Sequence, residues 1–414
     1  MERTPALRAV SPHEAGFDAA ALDHVDTVMR RGLDDVFPAA ALLVARYGQI
    51  VFHRAYGYLD PETRRLPTQT ETLFDLASLT KLFTTTAFLT LVEQGRASLD
   101  TPVAKVLPEF GGVRAIGPTE DPLNKTSVPT DPAFSGQYVD TRQVTFKHLL
   151  TQTSGLAAWR SLYRENGVEV TAVPLPHRVT AEKRRRRVAA IHESYGFAYP
   201  PGQRLVYSDL GSILLGESVA FLANESLDAT VRNAILEPLG LTRTTYNPLA
   251  NGFLVDQIVP TEFCAWRQRR CVGEVHDENA ASLGGVAGHA GLFSPAWDVA
   301  VLGQTYLNMG TYGGARVLNA ETVAEATRVH VNFNDSPRGL GWLQRSQTGS
   351  SSGRFFGSRS YGHTGFTGTS LWIDPDRALL VSLLTNRVYH GRDSDGILRF
   401  RPRLHDAIAQ AIRE

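Results

Sequence analysis

Ser78 and Lys81 are the two residues whose types and spacing most directly suggest covalent chemistry. A serine hydroxyl acts as a nucleophile when a neighbouring base takes its proton. Residues three apart on a helix lie on one face a single turn apart, so the Lys81 amine can reach the Ser78 hydroxyl. The chain has only five lysines, which gives this spacing more weight. Apolar neighbours such as Phe74, Leu82 and Phe83 favour the burial that would lower the pKa of Lys81.

Two further segments carry polar groups at places suited to a catalytic site. Tyr207 and Asp209 stand where a Pro/Gly-rich loop is predicted to meet an apolar helix. The segment His363–Gly365 stands at a predicted strand edge, and its glycine would let a ligand approach the backbone. Taken singly, each segment also fits a structural role: a helix cap followed by a surface lysine, a core tyrosine, or a strand-edge turn. The functional prediction therefore depends on their joint presence.

The order of these segments resembles the family of serine β-lactamases, penicillin-binding proteins and related esterases and D-peptidases. That family has the motifs Ser-x-x-Lys, Tyr-x-Asn and Lys-Thr-Gly, in this order. The corresponding segments here are Ser78-Leu79-Thr80-Lys81, Tyr207-Ser208-Asp209 and His363-Thr364-Gly365, with departures at Asp209 and His363. Further similarity is found in His148–Leu156, Pro201-Gly202, Gly284–Ser294 and Gly362–Pro375, the last resembling a subgroup around penicillin-binding protein 4B.

The resemblance implies a role for each matching residue. Ser78 would be the nucleophile, and Lys81 and Tyr207 would be the base and proton shuttle. The backbone N–H groups of Ser78 and Phe366 would form an oxyanion hole. An ionised Asp209 only accepts hydrogen bonds and would hold Lys81 protonated, which favours Tyr207 as the base. Which of Lys81 and Tyr207 is the base stays open at this point.

The resemblance also implies that the third motif, with Thr364 and Gly365, binds substrate. His363 replaces a lysine that holds a substrate carboxylate, and a histidine is neutral at pH 7 unless its surroundings change its pKa. We therefore expect carboxylate binding to strengthen toward about pH 5.5, as His363 gains a proton. This favours a small ester, amide or D-alanyl-type peptide as substrate. The alternatives are a true β-lactamase, or a module that binds β-lactams or wall peptides without turnover.

Composition restricts the partners. The 42 basic residues balance the 42 acidic residues, which argues against a nucleic-acid binder. We expect a small-molecule or peptide substrate, and the sequence does not indicate an oligomeric state.

No apolar stretch approaches the ~20 residues of a membrane span, and the N-terminus lacks an apolar signal region. The chain as written is therefore expected in the cytoplasm, or in the periplasm or outside the cell if a leader was removed.

Other polar clusters are interpreted as structural. Two cysteines, Cys264 and Cys271, do not form a disulfide framework or a zinc site. The acidic and histidine residues around His276 and His289 match no metal-ligand spacing, so no metal or cofactor is expected. The segment Gly349–Gly353 fits Gly-x-Ser-x-Gly but lies in a polar stretch without a strand-to-helix elbow. The basic run at 183–187 is interpreted as a solvated helix face.

The coarse pattern predicts an α/β (α+β) fold with an antiparallel sheet flanked by helices and an inserted, mostly helical domain. Residues 1–100 and 295–414 would form the sheet domain, and residues 101–294 the insertion. An exposed loop is predicted at Thr119–Gln137. The predicted strands are Ala39–Arg46, Ile50–Tyr58, Thr369–Asp374 and Ala378–Thr385; the predicted helices are Leu22–Leu33, Ser78–Glu93, Gly211–Leu222, Leu227–Leu239 and Pro402–Ile412.

Overall fold

The computed structural model describes residues 6–163, 182, 184, 188–189, 191, 196–392 and 395–413. Its main sheet has nine strands: β1 (Arg8–Ala9), β2 (Ala39–Arg46), β3 (Gln49–Gly57), β4 (Val331–Phe333), β5 (Ser336–Arg338), β6 (Leu343–Gln344), β7 (Tyr361–Thr364), β8 (Ser370–Asp374) and β9 (Leu379–Thr385). The spatial order is β1-β3-β2-β9-β8-β7-β6-β5-β4, and every pair is antiparallel except β1 with β3. The prediction of an antiparallel sheet is confirmed.

Helices cover the sheet and fill the middle of the chain. Among the described residues they are α1 (Ala19–Asp35), α2 (Thr80–Glu93), α3 (Val103–Val106), α4 (Phe146–Leu150), α5 (Asp209–Ala223), α6 (Leu227–Val231), α7 (Glu237–Leu239), α8 (Glu278–Ser282), α9 (Ala296–Leu307), α10 (Ala320–Thr327) and α11 (Gly396–Gln410). A π-helical turn at Arg232–Leu236 joins α6 to α7. The predicted helix Leu227–Leu239 is thus one continuous helical stretch of changing pitch.

Short strands complete the architecture. Phe74–Asp75, Leu292–Ser294 and Thr245–Tyr246 form a three-stranded sheet beside the start of α2. Four two-stranded antiparallel sheets pair Val113–Ala115 with Tyr138–Asp140, Thr119–Glu120 with Ser127–Val128, Phe263–Cys264 with Arg269–Arg270, and Thr311–Tyr312 with Ala315–Arg316.

Central strand β2 is apolar along its whole length because both of its faces are covered. Alternate residues point to opposite faces of a strand, and here Leu43 joins the core on one side while Leu42 and Val44 join the core on the other. The second core is closed by α1 and α11, which contribute Met29 and Ile408. Burial on both faces makes the central sheet rigid. The third motif lies at the end of β7 in this sheet, where His363 and Thr364 are the last residues of the strand.

Two sequence predictions are wrong in detail. The last helix begins at Gly396 rather than at Pro402, because its buried face already starts at Ile397 and packing outweighs the cost of an internal proline. The segment Thr119–Gln137 contains a hairpin, whose turn is closed by the Asp121 carboxylate accepting from the next backbone N–H groups. The remaining predicted helices and strands are confirmed within a few residues.

The division into two domains at residues 100 and 295 stays a prediction. Apart from Arg184, the basic run at 183–187 lies outside the described residues. In the described part of the chain, no helix is both long enough and apolar enough to cross a membrane.

Candidate active site

Ser78 lies in a short 3-10 turn, Ala77–Leu79, directly before α2. It is the one residue in the range 72–91 that is not buried, so this segment exposes a single hydroxyl, just before α2. The preceding Ala77 has a φ of +45°, a left-handed conformation that costs free energy for a residue with a Cβ. The Asp75 carboxylate holds this turn, since its Oδ1 accepts from the Ala77 N–H at 2.8 Å.

Lys81 joins three parts of the site through its buried ammonium group. Its Nζ donates to Ser78 Oγ at 2.8 Å, to Asp209 Oδ1 at 2.9 Å and to the His289 carbonyl at 3.3 Å. Burial disfavours the charge, but the Asp209 carboxylate and Tyr207 outweigh burial and raise the pKa of Lys81 above its ordinary value. Lys81 is therefore a cation at neutral pH.

Tyr207 lies against the same ammonium, with Lys81 Nζ 4.7 Å from its ring centroid. The buried hydroxyl has no well-aligned hydrogen bond within the described part of the chain, although Ser78 and Lys81 are close enough to act on it. Burial raises the pKa of Tyr207; Lys81 acts against this increase and Asp209 adds to it. The tyrosine therefore rests as a neutral phenol beside a cation.

Gln152 fixes the backbone around Tyr207 from both sides. Its carbonyl accepts from the Val206 N–H at 2.9 Å, and its side-chain Oε1 accepts from the Ser208 N–H at 2.7 Å. Ser208 also caps α5, because its Oγ accepts from the Gly211 N–H at 3.1 Å. Asp209 is thus the first residue of α5, where the helix dipole favours a negative charge.

The third-motif loop is fastened to the segment that precedes Ser78. Thr367 Oγ1 donates to the Asp75 carbonyl at 2.8 Å, and Thr369 Oγ1 donates to the Leu76 carbonyl at 2.9 Å. A Cβ on Gly365 would lie 2.6 Å from the Leu76 carbonyl oxygen, so only glycine allows this approach. Arg401 of α11 donates to the Gly365 carbonyl from the other side, at 2.9 Å.

These segments surround a cleft of about 560 Å³. Five basic side chains and three acidic side chains line it, so the cleft favours an anionic ligand. Its motif residues are Ser78, Tyr207, Asp209, Thr364, Gly365 and Phe366, and its charged residues outside the motifs are Lys125, Asp277, Glu278, Arg338, Arg387, Arg392 and Arg401.

A family model described as beta-lactamase matches residues 25–401, nearly the whole chain. The chain belongs to the β-lactamase family. Two relatives, from Escherichia coli K12 and Salmonella agona, are provisionally named D-alanyl-D-alanine carboxypeptidases. They are 33% and 32% identical to this chain, over 92% of it and 86% of their own length. Together these matches identify a serine hydrolase of the β-lactamase family.

Solved structures agree with this fold. The hydrolase EstCE1, described with promiscuous acyltransferase activity, superposes with a TM-score of 0.69 at 21% identity, covering 94% of this chain and 98% of its own. A penicillin-binding protein homologue from Caulobacter crescentus superposes with a TM-score of 0.67 at 18% identity, covering 96% and 99%. At these identities the likeness shows the fold alone. It confirms the predicted mixed fold with an antiparallel sheet flanked by helices.

His363 departs from the sequence-based expectation. It is 3% exposed and is absent from the described lining of the cleft, and its Nδ1 lies 2.9 Å from the Thr364 carbonyl oxygen. Burial, with a further contribution from Lys81, lowers the pKa of His363 to about 3. The expectation that His363 gains a proton toward about pH 5.5 is therefore contradicted, because burial keeps the imidazole neutral at that pH.

The structure brings Ser78, Lys81, Tyr207 and Asp209 together, and Thr364, Gly365 and Phe366 line the same cleft. Sequence reasoning missed Asp75 and Gln152, which act on backbone N–H groups and match no motif. Gln152 lies inside the segment His148–Leu156, so its similarity to the family was the available signal. Asp75 gave no such signal.

The discounted polar segments also have defined places. His289 Nε2 lies 2.8 Å from Asp277 Oδ1, next to the backbone carbonyl that accepts from Lys81. Ser351 of the Gly-x-Ser-x-Gly match accepts from Trp372 Nε1 at 3.1 Å, and its carbonyl lies 2.7 Å from His405 Nδ1. Ser351 is not among the described cleft residues. These contacts with Trp372 of β8 and His405 of α11 give the segment a structural role between the sheet and α11.

Proposed function

We propose that this family member hydrolyses a small ester, amide or D-alanyl-type peptide through an acyl-enzyme on Ser78, as a carboxypeptidase or esterase. The observation that carries the proposal is the 2.8 Å contact between Ser78 Oγ and Lys81 Nζ, at the one hydroxyl of the range 72–91 that is not buried. Acyl transfer requires an oriented nucleophile with a proton acceptor beside it in a concave cleft, and the Lys81–Tyr207 pair next to Ser78 can supply that acceptor.

In the proposed acylation, Ser78 Oγ attacks the carbonyl carbon and its proton passes to the Lys81–Tyr207 pair. Lys81 is held as a cation by Asp209, so the acceptor is Tyr207 once the pair has lost one proton. The phenolate formed in this way is stabilised by the ammonium 4.7 Å from its ring. Tyr207 donates the proton to the leaving group as its bond to the carbonyl carbon breaks, which restores the phenolate. Water then attacks the Ser78 ester and gives a proton to Tyr207, and this proton returns to Ser78 Oγ as the acid product leaves.

The backbone N–H groups of Ser78 and Phe366 are proposed as the oxyanion hole. Phe366 lies within the loop that Thr367 and Thr369 fasten to the carbonyls of Asp75 and Leu76, so its position is fixed relative to Ser78. Rigid donors of this kind stabilise the charge that develops on the carbonyl oxygen, and loss of one costs about 3–4 kcal/mol.

The test is an ester panel combined with intact-mass analysis after treatment with fluorescent penicillin. Turnover of p-nitrophenyl esters or a D-alanyl depsipeptide, absent in Ser78→Ala, supports the proposal. Rapid turnover of nitrocefin would instead indicate a true β-lactamase. A stable penicillin adduct without turnover of any ester would indicate a binding module, and labelling at a residue other than Ser78 would contradict the assignment of the nucleophile.

A further inference from the structure

We propose that Cys264 and Cys271 form an oxidative modification site, at which a hydroperoxide such as hydrogen peroxide joins the two thiols in a disulfide and lowers the reactivity of Ser78. Both cysteines are free thiols in this structure. The proposal goes beyond the hydrolase function, because the reaction at sulfur involves neither the substrate nor Ser78.

The two thiols share one face of a small two-stranded sheet. Cys264 lies opposite Arg269, and Cys271 follows two positions later, so both side chains point to the same face. The pairing continues as far as Cys271, whose N–H donates to the Glu262 carbonyl at 3.1 Å. Here the two thiols are hydrogen-bonded to each other. Cys264 is 4% exposed and Cys271 is 1% exposed, so a small oxidant meets Cys264 first.

Arg267 makes this thiol pair reactive. Its buried guanidinium donates from Nη1 to Cys271 Sγ at 2.8 Å and to the Val275 carbonyl at 2.7 Å. A hydrogen bond from the Cys271 thiol, together with the charge of Arg267, lowers the pKa of Cys264 to about 6. The hydrogen bond to Cys264 and burial raise the pKa of Cys271. Cys264 is therefore the thiolate at neutral pH, and Cys271 keeps its proton.

The oxidation takes two steps. The Cys264 thiolate attacks one oxygen of the peroxide, so that an S–O bond forms, the O–O bond breaks, and the departing hydroxide takes a proton from solvent. The Cys271 thiol then attacks the sulfur of the resulting sulfenic acid. The S–S bond forms, the S–O bond breaks, and the hydroxide leaves as water with the thiol proton. The two thiols are thus oxidised to a disulfide, and one hydrogen peroxide is reduced to two water molecules.

The same arginine connects the thiol pair to the nucleophile. Nη2 of Arg267 donates to the carbonyls of His276 and Asp277, each at 3.4 Å. The His276 N–H donates to Asp75 Oδ2 at 2.6 Å, and Oδ1 of the same carboxylate holds the turn that contains Ser78. A disulfide has no charge and draws the two sulfurs to bonding distance, so Arg267 loses its anionic partner and the backbone that it holds shifts. Oxidation should therefore loosen the turn that presents the Ser78 hydroxyl.

Peptide mapping tests the chemistry at sulfur. Reduced wild type is treated with a small excess of hydrogen peroxide, alkylated and digested with trypsin, which cuts between the cysteines after Arg267, Arg269 and Arg270. We expect two peptides joined by a disulfide, which dithiothreitol separates. In Cys271→Ser the reaction should stop at the sulfenic acid, and dimedone should label Cys264. Absence of the joined peptides in wild type, or of the dimedone label in Cys271→Ser, would overturn the modification site.

Fluorophosphonate labelling tests the connection to Ser78. Once peroxide is removed, oxidised wild type should react about fivefold more slowly than the reduced protein, and dithiothreitol should restore the rate. Cys264→Ser is the control for oxidation elsewhere in the chain, and peroxide should not change its rate. Equal rates for oxidised and reduced wild type, or an equal loss in Cys264→Ser, would refute the connection. The peptide map needs no turnover, so it stands whether or not the ester panel supports the proposed function.

Discussion

The Asp209 carboxylate accepts a hydrogen bond from the Lys81 ammonium at 2.9 Å, which joins the second motif to the first by a largely buried ion pair. Asparagine, the residue in the family motif, could accept this hydrogen bond without supplying a charge. The aspartate therefore holds a proton on Lys81 and makes the Lys81–Tyr207 pair harder to deprotonate. The proposed mechanism needs this deprotonation, so the enzyme should work best at alkaline pH.

Asp209→Asn should move the ascending limb of the pH–rate profile to lower pH. Asp209 raises the pKa of both Lys81 and Tyr207, so removing its charge lowers the apparent pKa of the coupled pair. We expect a shift of about one pH unit or more, equivalent to about 1.4 kcal/mol. The measurement is kcat/KM for a neutral p-nitrophenyl ester over a pH series. Asp228→Asn, in an exposed pair with Arg232, is the control. A profile of Asp209→Asn that superposes on wild type would contradict the role given to the ion pair.

Ser78→Ala should abolish ester turnover and covalent labelling by a fluorophosphonate while the protein stays folded. The hydroxyl of Ser78 faces the cleft, and its removal leaves the rest of α2 packed. Ser351→Ala is the matched control, because Ser351 lies in the competing Gly-x-Ser-x-Gly segment and binds Trp372. Mass mapping of the label identifies the reacting residue. A label that persists in Ser78→Ala and disappears in Ser351→Ala would refute the mechanism.

In His363→Asn the free energy of unfolding should fall less than in wild type as the pH is lowered. The pKa of His363 is lowered to about 3 by burial, so between pH 6.5 and 3 the unfolded chain binds a proton that the folded protein excludes. The contribution of neutral His363 to the free energy of unfolding is fully present above pH 6.5 and decreases as the pH falls toward 3. Between pH 7 and pH 5 the variant should show about 1–2 kcal/mol less pH dependence in urea unfolding. An unchanged pH dependence in His363→Asn would mean that the folded protein binds the proton as readily as the unfolded chain does.

Asp75→Asn should slow acylation more than it weakens substrate binding. Asp75 Oδ1 holds the strained Ala77 turn, and its Oδ2 accepts from the His276 N–H at 2.6 Å. In asparagine only Oδ1 accepts and the amide nitrogen donates, so one of these two hydrogen bonds is lost. We expect kcat to fall about tenfold with KM nearly unchanged. Asp298→Asn is the control: this buried acid binds Thr244 away from the cleft, so it should lower stability but not the fluorophosphonate rate per folded molecule. Comparable losses of rate in both variants would show that Asp75 is only structural.

The sequence indicated the candidate site residues Ser78, Lys81, Tyr207 and Asp209 through local spacing together with the order of the motifs. Helical spacing relates Ser78 to Lys81, and the apolar run after Tyr207 predicts the helix start that places Asp209. The strand pairs β2–β3 and β8–β9 were predictable for a similar reason, because the alternation of apolar residues and the turn residues between the strands are visible over a few positions. The ion pair between Lys81 and Asp209 was expected from the motif order and is present.

What the sequence could not supply depends on contacts between distant segments. The burial of His363 is set by the residues packed around β7, so the low pKa is invisible in the motif itself. The start of α11 was misplaced because Pro402 is a strong local signal, while the packing that overrides it involves α1.

The pairing of β2 with β9 has a consequence for how the protein folds. The Ala39 N–H donates to the Asn386 side chain, 347 positions away in sequence, and the third-motif loop lies next to this junction. Contacts of such high sequence separation are slow to form, because a long loop must close before any pairing energy is gained. Ser78 can therefore meet Thr364 and Phe366 only after the central sheet has closed. Covalent labelling of Ser78 should then appear only in the last kinetic phase of refolding. The time course of labelling would therefore report when the sheet has finished forming.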